Sequence, residues 1–484
     1  MRKSERTPAD VTALDLPEES LDRVLTRVSD APLRKGNRLA LLKNGPHAYD
    51  EWLDEIGRAE RWVHLEHYIF KADGVGRRFA EALKEKARQG VPVRVIYDWY
   101  GSMATSGSLW RDLRNAGVEV RVFNPFSLRA PLEALLRDHR KSLVVDGEYA
   151  SAGGICIADQ WVERSPDTGL PYRDTAVGLR GPAVADLERA FREAWNRSGA
   201  PLPTEECPRI EEMPAVGEEA ARVVIQEPAK MRIARMLQIL TAGARERLWI
   251  ADAYFMAGPA LNQALMSAAR DGVDVRLLLP ATNDLPIVSM VSRAGYRELL
   301  ESGVRIFEYG GLMMHAKTTV VDGWSSRVGS TNMNVTGLLT DWEIDVVVEG
   351  RSFGAAMEEM FEDDLADSRE VLLGGTVRRR RAEPQRHIAP ARRRSSLGSS
   401  GSGSRAIATA ARAGGATFRD SGEDLHGLER TVGGAVSGGL VATALLGARF
   451  PRLLAWPLAV AGGLVGASGL ARVLRPTGDR DAAD

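Results

Sequence analysis

Two stretches of this sequence follow one pattern: HRKSLVVDG at residues 139–147 and HAKTTVVDG at residues 315–323. Each stretch reads H-x-K-x4-D, and after six intervening residues it reaches a turn of small residues, GGIC at 153–156 and GSTN at 329–332. The β-branched middle of each stretch predicts a buried strand, and the Asp-Gly pair predicts a turn at its end. Because the pattern occurs twice, it indicates one site built from two half-sites.

The flanking segments recur in the same order. In each half, a strand rich in β-branched and aromatic residues precedes a helix with apolar four-residue spacing and then further strands. The expected strands include 62–70, 91–98 and 117–124 in the first half and 248–255, 273–280 and 303–309 in the second, with Glu66 matching Asp252 and Tyr68 matching Tyr254. A duplication of about 150 residues explains this order. It predicts an α/β fold of two duplicated lobes, each a mixed β-sheet flanked by helices, packed pseudo-symmetrically.

Composition divides the chain into six segments. They are a polar N-terminal arm at 1–35, a first lobe at 36–200, a linker at 201–220, a second lobe at 221–372, a basic Ser/Gly-rich linker at 373–430 and an apolar block at 431–475. A short helix is expected in the arm, around Pro17 to Val28. The basic linker is expected to be disordered, at least over 374–405. The block contains two uncharged runs, each close to the roughly 20 residues that span a bilayer. We expect a C-terminal hydrophobic helical hairpin in the membrane; the alternative is a helical pair on the globular body or in the interface.

The charge balance argues against a general polyanion binder. Lys and Arg number 64 and Asp and Glu 65, which gives a formal charge of -1, so no nucleic acid partner is expected. Positive charge is concentrated at 378–381 and 392–394, where a basic segment beside a membrane anchor favours an anionic membrane surface. The first 30 residues lack the apolar core of a signal peptide. We therefore expect the bacterial inner membrane, with the catalytic body on the cytoplasmic side.

The residue types of the two motifs suit attack on a phosphodiester. On a strand, the His and Lys of H-x-K point to one face. Two half-sites facing each other would surround one phosphate with two imidazoles and two ammonium groups. One imidazole can attack phosphorus, and the other can act as acid and then as base. The two ammonium groups supply the positive charge that a metal would otherwise bring, so neither a metal nor another cofactor is expected.

The candidate site residues fall into two groups. Candidate catalytic residues are the motif positions His139, Lys141, Asp146, His315, Lys317 and Asp322, of which the two aspartates, at strand ends next to a glycine, are expected to fix local structure. Candidates for phosphate binding or for orienting the histidines are Asn332, Ser330, Gly154, Asp174, Glu343 and Glu66. Asp174 and Glu343 each follow a motif at a similar interval and could each hold a histidine through its second ring nitrogen. Glu66 is expected to hydrogen-bond near the site.

The H-x-E-H stretch at residues 64–67 superficially resembles a metal cluster. On a strand, His64 and Glu66 face one way and His67 faces the other, so joint metal ligation is not expected.

The duplicated H-x-K-x4-D-x6-G-[GS] pattern resembles the phospholipase D superfamily, and within it bacterial cardiolipin synthases without an N-terminal membrane anchor. The similarity runs from about residue 36 to 370 and includes 36–45, 90–102, 172–175, 181–184, 283–288 and 307–309. It implies that one phosphatidylglycerol gives its phosphatidyl group to a histidine and releases glycerol, and that a second phosphatidylglycerol accepts the group. Some members use phosphatidylethanolamine as donor. It also implies that the two His, the two Lys and Asn332 are catalytic or phosphate-binding, and it leaves the nucleophile unassigned.

One position departs from that family pattern. The first motif usually ends G-G-x-N, whereas Cys156 stands here and a thiol is a weak donor. Either this half-site is slower, or Ser142, Ser151 or a backbone N–H takes over. Two other functions stay open: a phospholipase D-type phosphodiesterase with water as acceptor, and a non-catalytic membrane scaffold.

Overall fold

The computed structural model describes residues 18–127, 136–162, 171–311, 313–373 and 377–379. The N-terminal helix and the first lobe consist of α1 Glu18–Ser29, β1 Arg34–Lys43, α2 Asn44–Arg58, β2 Val63–His67, α3 Gly74–Arg88, β3 Val93–Asp98, α4 Gly107–Asn115, β4 Glu119–Phe123, β5 Lys141–Val145, β6 Tyr149–Gly153, β7 Thr175–Arg180 and α5 Val184–Arg197. The second lobe consists of β8 Glu219–Gln226, α6 Arg232–Gly243, β9 Arg247–Ala251, α7 Pro259–Arg270, β10 Asp274–Pro280, α8 Pro286–Ala294, α9 Tyr296–Glu301, β11 Arg305–Tyr309, β12 Thr318–Val321, β13 Ser325–Gly329, α10 Val335–Leu339, β14 Glu343–Glu349, α11 Arg351–Ala366, β15 Ser368–Val371 and β16 Val377–Arg379.

Both lobes arrange their strands in the same order. The first sheet runs β1-β7-β6-β5-β2-β3-β4, and the second runs β8-β14-β13-β12-β9-β10-β11 before β15 and β16 extend it. The strands β2, β3 and β4 are parallel, as are β9, β10 and β11, while the other neighbours are antiparallel. The predicted α/β class with mixed sheets flanked by helices is confirmed for the described residues. The two sheets join where β1 pairs with β8.

Local sequence explains how the strands next to the site are connected. Asp73 caps α3 by accepting a hydrogen bond from the backbone N–H of Gly76. Phe79 and Leu83 are buried on one side of this helix, one turn apart. After the helix, Gly90 has a φ of 87°, a left-handed conformation that glycine adopts without strain. The chain therefore turns back directly into β3, parallel to β2.

A shared apolar core joins the two lobes. It packs Val144 and Val177 of the first lobe with Val320 and Val346 of the second and with Met357 of α11. The strands β5 and β12, which follow the two histidines, are consequently buried along their whole length. This burial explains the uncharged and mostly apolar runs LVV and TVV in the sequence.

Helix α1 corrects the expectation of a polar arm ahead of the globular region. A helix was expected near this position, but Leu21 and Leu25 of α1 are fully buried in the core of the second lobe. The buried guanidinium of Arg222 in β8 also donates to Asp22 at 2.9 Å. Residues 18–33 therefore belong to the folded body, since their apolar side leaves water on packing against α6.

Two predictions concern the C-terminal part of the chain, a disordered segment and a hydrophobic hairpin. Strand β16 pairs with β15, so the prediction of a disordered segment from residue 374 to 405 is wrong for Val377–Arg379. The hydrophobic hairpin predicted at 431–475 lies outside the described residues. Within the described ranges, no helix combines the length and apolar character needed to cross a bilayer.

Candidate active site

The two histidine motifs lie at the same edge of their sheets. Lys141 of β5 lies opposite His67 at the carboxyl end of β2, because the two strands are antiparallel. In the second lobe, Thr318 of β12 lies opposite Ala251 at the carboxyl end of β9. His139 and His315 immediately precede these strands. The motifs therefore lie at the carboxyl ends of the parallel strands, where α/β folds commonly bind ligands.

Each imidazole contacts a carboxylate from the opposite lobe. Nδ1 of His139 lies 2.9 Å from Oε1 of Glu343, and Nδ1 of His315 lies 2.7 Å from Oδ2 of Asp174. Both carboxylates were predicted from the sequence to orient a histidine. The crossed partners could not be predicted, because each carboxylate follows the motif of its own lobe along the chain.

Backbone hydrogen bonds hold the crossed arrangement. The N–H of His139 donates to the carbonyl of Trp342 at 2.9 Å, and the N–H of His315 donates to the carbonyl of Arg173 at 2.7 Å. Trp342 and Arg173 directly precede Glu343 and Asp174. Each histidine is thus bound through its backbone and through its ring to the same dipeptide of the other lobe, which fixes the direction of the ring.

Asp174 is held as an ionised carboxylate. Its Oδ2 accepts a hydrogen bond from Nε1 of Trp161 at 2.8 Å, and its Oδ1 accepts one from the N–H of Thr175 at 2.7 Å. Burial opposes ionisation, but the contacts with His315 and Lys317 outweigh it, and the net pKa of Asp174 is lowered. Hydrogen bonds to the charged form have this effect.

Glu343 differs from Asp174 in the pKa of its carboxyl group. Its Oε2 accepts a hydrogen bond from the hydroxyl of Ser330 and lies 3.0 Å from Nδ1 of His139. Burial raises the pKa of Glu343 to about 8, although Lys141 acts in the opposite direction. The His139–Glu343 pair therefore holds a proton near neutral pH, which the His315–Asp174 pair does not.

Two buried ammonium groups accompany the imidazoles. Lys141 donates to the carbonyl of His139 and lies 5.0 Å from the centre of the Tyr68 ring. Lys317 donates to the carbonyl of His315 and lies 3.0 and 3.1 Å from the two nitrogens of the His315 ring. Burial lowers the pKa of Lys317 to about 8.

Burial and the lysines keep the imidazoles neutral. Burial, followed by Lys141 and Lys317, lowers the pKa of His139 well below its ordinary value. Burial, followed by Lys317, lowers the pKa of His315 to about 4. A neutral imidazole has the lone pair that a nucleophile or a base requires.

Aromatic side chains surround both rings. Tyr68 meets the His139 ring edge to face at 4.7 Å, and Tyr254 meets the His315 ring at 6.0 Å. Trp161 contacts the His315 ring at 5.3 Å, and Tyr172 stacks near it at 6.1 Å. The role of Trp161 was not predicted from the sequence, because nothing in the local pattern indicated that its indole N–H would reach Asp174.

The motif aspartates are bound to the backbone. The carboxylate of Asp146 accepts hydrogen bonds from the N–H groups of residues 60, 61 and 62, and that of Asp322 from residues 245, 246 and 247. Both residues have a positive φ, in the turn before a glycine. These contacts confirm the expectation that both aspartates fix local structure, and they correct the inclusion of the two residues among the candidate catalytic residues. The carboxylates tie the turn after β5 or β12 to the chain entering β2 or β9.

Glu66 does not lie with the histidines. Opposite residues of a ladder share a face, and Lys141 lies opposite His67, whereas Glu66 lies opposite Ser142. The Ser142 hydroxyl donates to Glu66 at 3.2 Å, and Arg140 lies 3.8 Å away. The expectation that Glu66 hydrogen-bonds inside the lobe near the site is therefore confirmed, but its contacts are with Ser142 and Arg140 and not with a motif histidine or lysine.

The proposed match between Glu66 and Asp252 is displaced by one residue. With the two motifs aligned, Ser142 corresponds to Thr318, and the residue opposite Thr318 is Ala251. Asp252 follows it and accepts a hydrogen bond from the N–H of Met333 at 2.8 Å. Sequence similarity aligned the two acids, whereas the ladder register decides which face each one occupies.

The small-residue turns differ between the half-sites. A Cβ added to Gly154 would lie 2.2 Å from Oδ1 of Asp174, so this glycine leaves room for the carboxylate. The same position in the second motif is Ser330, which donates to Glu343. Oδ1 of Asn332 is buried and has no hydrogen-bond partner within the described part of the chain. Cys156 is buried, and burial raises the pKa of its thiol, so the thiol is neutral.

The stretch 64–67 is divided between two faces, as alternation along a strand predicts. Nδ1 of His64 lies 2.5 Å from Glu188 and its Nε2 lies 2.8 Å from Glu206. Burial lowers the pKa of His64, but the two glutamates outweigh it and the net pKa is raised. His67 lies on the other face against Trp52, with ring centres 5.7 Å apart.

Comparison with known proteins defines the class. Residues 52–195 and 237–365 match the family model described as cardiolipin synthase, PLD-like domain. The chain is 32% identical to the cardiolipin synthase of Geobacillus kaustophilus, over 74% of this chain and 71% of that protein. It is 33% identical to cardiolipin synthase A of Pseudomonas aeruginosa, over 72% of this chain and 71% of that protein.

A solved structure supports the same fold. The phosphatidylserine synthase of Haemophilus influenzae superposes with a TM-score of 0.57 at 14% identity, over 72% of this chain and 91% of that one. The fold and the paired half-sites thus define a PLD-like protein. The chain belongs to the cardiolipin synthase family of PLD-like proteins, and it is an enzyme of the phosphatidyltransferase type.

Proposed function

We propose that the chain transfers a phosphatidyl group from one phosphatidylglycerol to another through a phosphohistidine and releases glycerol. The crossed contacts of His139 with Glu343 and of His315 with Asp174 carry this proposal. A ring held through Nδ1 directs Nε2 away from its carboxylate partner. Two such rings beside Lys141 and Lys317 supply the groups that a double displacement at phosphorus requires.

The first displacement forms the covalent intermediate. Nε2 of one histidine forms a bond to phosphorus, and the bond between phosphorus and the glycerol oxygen breaks. The other histidine, as an imidazolium, gives its proton to that oxygen. Lys141, Lys317 and the amide of Asn332 hold the non-bridging oxygens, where negative charge increases.

The second displacement returns the enzyme to its starting state. The second histidine, now neutral, takes the proton from a hydroxyl group of another phosphatidylglycerol. The oxygen of that hydroxyl attacks phosphorus, and the phosphorus–nitrogen bond breaks. The product is cardiolipin, and the second histidine is again an imidazolium.

Substrate binding supplies the charge that the acid needs. The ammonium groups of Lys141 and Lys317 contribute to the low pKa of both histidines. A phosphodiester anion between these ammonium groups offsets their charge and raises the pKa of the imidazoles. One histidine then gains the proton used in the first displacement.

The setting of the reaction is the bacterial cell membrane, with the catalytic body on the cytoplasmic side. Phosphatidylglycerol is the proposed donor and acceptor, and phosphatidylethanolamine is the alternative donor. Two matching relatives carry the name cardiolipin synthase, and cardiolipin is a membrane phospholipid. The anionic membrane surface is the corresponding partner.

A lipid assay tests the proposal. The full chain in detergent is incubated with phosphatidylglycerol alone, and mass spectrometry follows cardiolipin, glycerol and phosphatidic acid. We expect equal amounts of cardiolipin and glycerol, and loss of both in His139→Ala and in His315→Ala. Phosphatidic acid instead of cardiolipin would make water the acceptor and overturn the transferase proposal in favour of a phospholipase D-type phosphodiesterase.

The same two variants identify the nucleophile. Intact-protein mass after a brief exposure to phosphatidylglycerol reveals a covalent phosphatidyl group. The variant that still acquires the group has lost the acid–base residue, so the remaining histidine is the nucleophile. If no phosphatidyl group is found on the wild type or on either variant, the result argues against a covalent intermediate.

A further inference from the structure

We propose that the catalytic body docks on a phospholipid bilayer through an apolar rim, defined as Tyr100, Met103 and Phe126 in the first lobe and Leu285, Met290 and Val291 in the second. The proposal rests on the proposed function to the extent that the substrate is a bilayer lipid. It adds the surface by which the folded lobes, rather than any other part of the chain, meet that bilayer.

The rim residues are unusually exposed for their type. Within the described ranges, Met103 is 62% exposed and Met290 is 65% exposed. Six of the ten large apolar side chains that are exposed there belong to segments directly following β3, β4 and β10. These are the parallel strands whose carboxyl ends lie at the edge of the histidines. A concentration of exposed apolar side chains at one edge marks an interaction surface.

In the first lobe, the rim is in direct contact with the site. The Ser102 hydroxyl donates to the carbonyl of Tyr68 at 3.0 Å, and a Cβ on Gly101 would lie 2.8 Å from the Tyr68 ring. Tyr68 itself packs against His139. The segment carrying Tyr100 and Met103 therefore covers the tyrosine that lines the first half-site.

A neighbouring segment completes the rim of the first lobe. Trp99 stacks with Phe126, with ring centres 6.1 Å apart. Arg137, two residues before His139, lies with its guanidinium 5.8 Å from the centre of the Tyr100 ring. The exposed aromatic rings of this lobe are thus held beside the chain that enters the first motif.

The second lobe repeats the arrangement with different residues. The hydroxyl of Tyr254, which packs against His315, donates to Asp284 at 2.8 Å. Leu285 follows Asp284 directly and precedes α8, whose Met290 and Val291 are exposed. Each histidine therefore has a tyrosine beside it and an exposed apolar segment beyond that tyrosine.

A bilayer is the partner that fits both halves of this rim. The phosphodiester of a two-chain lipid must reach the histidines while its acyl chains avoid water. Apolar and aromatic side chains on both sides of the site can lie at the boundary between headgroups and acyl chains. A partner that contacted only one lobe would leave the exposed apolar residues of the other lobe without an explanation.

Fluorescence measures docking directly. In the full chain with His315→Ala and Cys207→Ser, Met290→Cys is labelled with an environment-sensitive dye and mixed with vesicles of phosphatidylglycerol and phosphatidylethanolamine. We expect a blue shift that depends on vesicles. The control is Leu373→Cys in the same background, because Leu373 is exposed but follows β15 at the opposite end of β11; no shift is expected there.

Kinetics separate docking from chemistry. Met290→Glu should lower phosphatidyl transfer from vesicle lipid by at least roughly tenfold, because a charge is costly to place in the apolar boundary. Its rate with short-chain phosphatidylglycerol, dispersed as monomers, should be unchanged, and Leu373→Glu should behave as the wild type with both substrates.

Several outcomes would overturn the docking proposal. They are the absence of a vesicle-dependent shift at position 290, an equal loss of rate on vesicles and monomers, and a blue-shifted dye before vesicles are added. The last result would mean that another segment or a second copy of the chain covers the rim. Because the dye experiment uses a catalytically inactive variant, failure of the proposed function does not alter its result.

Discussion

The half-sites around His139 and His315 share their strand geometry but differ in their carboxylate partners. Asp174 receives two further hydrogen bonds from Trp161 and Thr175 and stays ionised. Glu343 receives the Ser330 hydroxyl, and burial raises its pKa to about 8. A nearly symmetric pair of lobes can therefore hold two imidazoles in chemically different surroundings. Such a difference is needed when one imidazole is the nucleophile and the other is the acid–base partner.

The largest expected loss of activity comes from changing Asp174, and the matched change at Glu343 should have a much smaller effect. Asp174→Asn should lower kcat by roughly 10⁴-fold, because an amide cannot stabilise the imidazolium or hold its tautomer. Glu343→Gln should lower kcat by only about tenfold at pH 7, because a neutral amide resembles a protonated carboxyl group. The measurement is cardiolipin formation by both variants, with thermal unfolding as the control for folding. Equal losses would contradict the difference in protonation.

The next effect concerns the ends of the two motifs. Asn332→Ala should lower kcat by about 10²-fold, the size expected for one donor to a developing oxyanion. The matched change Cys156→Ala should lower it by less than about threefold, because a neutral thiol is a weak donor. Steady-state kinetics on phosphatidylglycerol compare the two variants. A larger loss from Cys156→Ala would show that the first turn, despite its thiol, holds the phosphate.

A third prediction concerns the strands beside the motifs. His64 lies opposite Val144 in β2, whereas Trp249 lies opposite the corresponding Val320 in β9. His64→Gln leaves Glu188 without its buried cation, while Glu206 keeps Arg94 at 2.9 Å, and the change should cost about 3 kcal/mol of unfolding free energy. Because the folded pKa is raised, this contribution is present below about pH 6.5 and lost as the pH rises through the folded pKa. Denaturant unfolding at several pH values measures it.

His67→Gln is the matched control in the same strand. Burial lowers the pKa of His67 to about 3, so the wild type loses stability relative to this variant as the pH falls below about 6.5. The two variants should therefore show opposite pH slopes. Parallel slopes would refute the assignment of a charged His64 and a neutral His67.

The smallest expected effect is Ser330→Ala. Loss of the hydroxyl donated to Glu343 should cost about 1 kcal/mol, or roughly fivefold in kcat. The corresponding change in the first motif, Gly154→Ala, should cost more, because its Cβ would collide with Asp174. Parallel kinetic assays decide the order, and a larger loss from Ser330→Ala would contradict it.

Part of the fold and of the site could be predicted because it depends on local patterns. Alternating strands and helices, the buried strands after His139 and His315, and the turns at Asp146 and Asp322 all follow from periodicity and turn chemistry. The faces of Glu66 and Asp252 could not be predicted, because a one-residue difference in ladder register changes the face of a side chain. The packing of α1 on the second lobe was also missed, since a short amphipathic helix does not specify its partner.

The sequence by itself determined that two H-x-K motifs would occupy equivalent strand ends, because strand periodicity and turn residues act within a few positions of each other. It also identified Asp174 and Glu343 as partners for imidazoles. Only the tertiary structure decided that each carboxylate serves the histidine of the other lobe. The physical reason is that these contacts join residues 204 and 141 positions apart, a distance at which packing of the two lobes, and no local propensity, sets the partner.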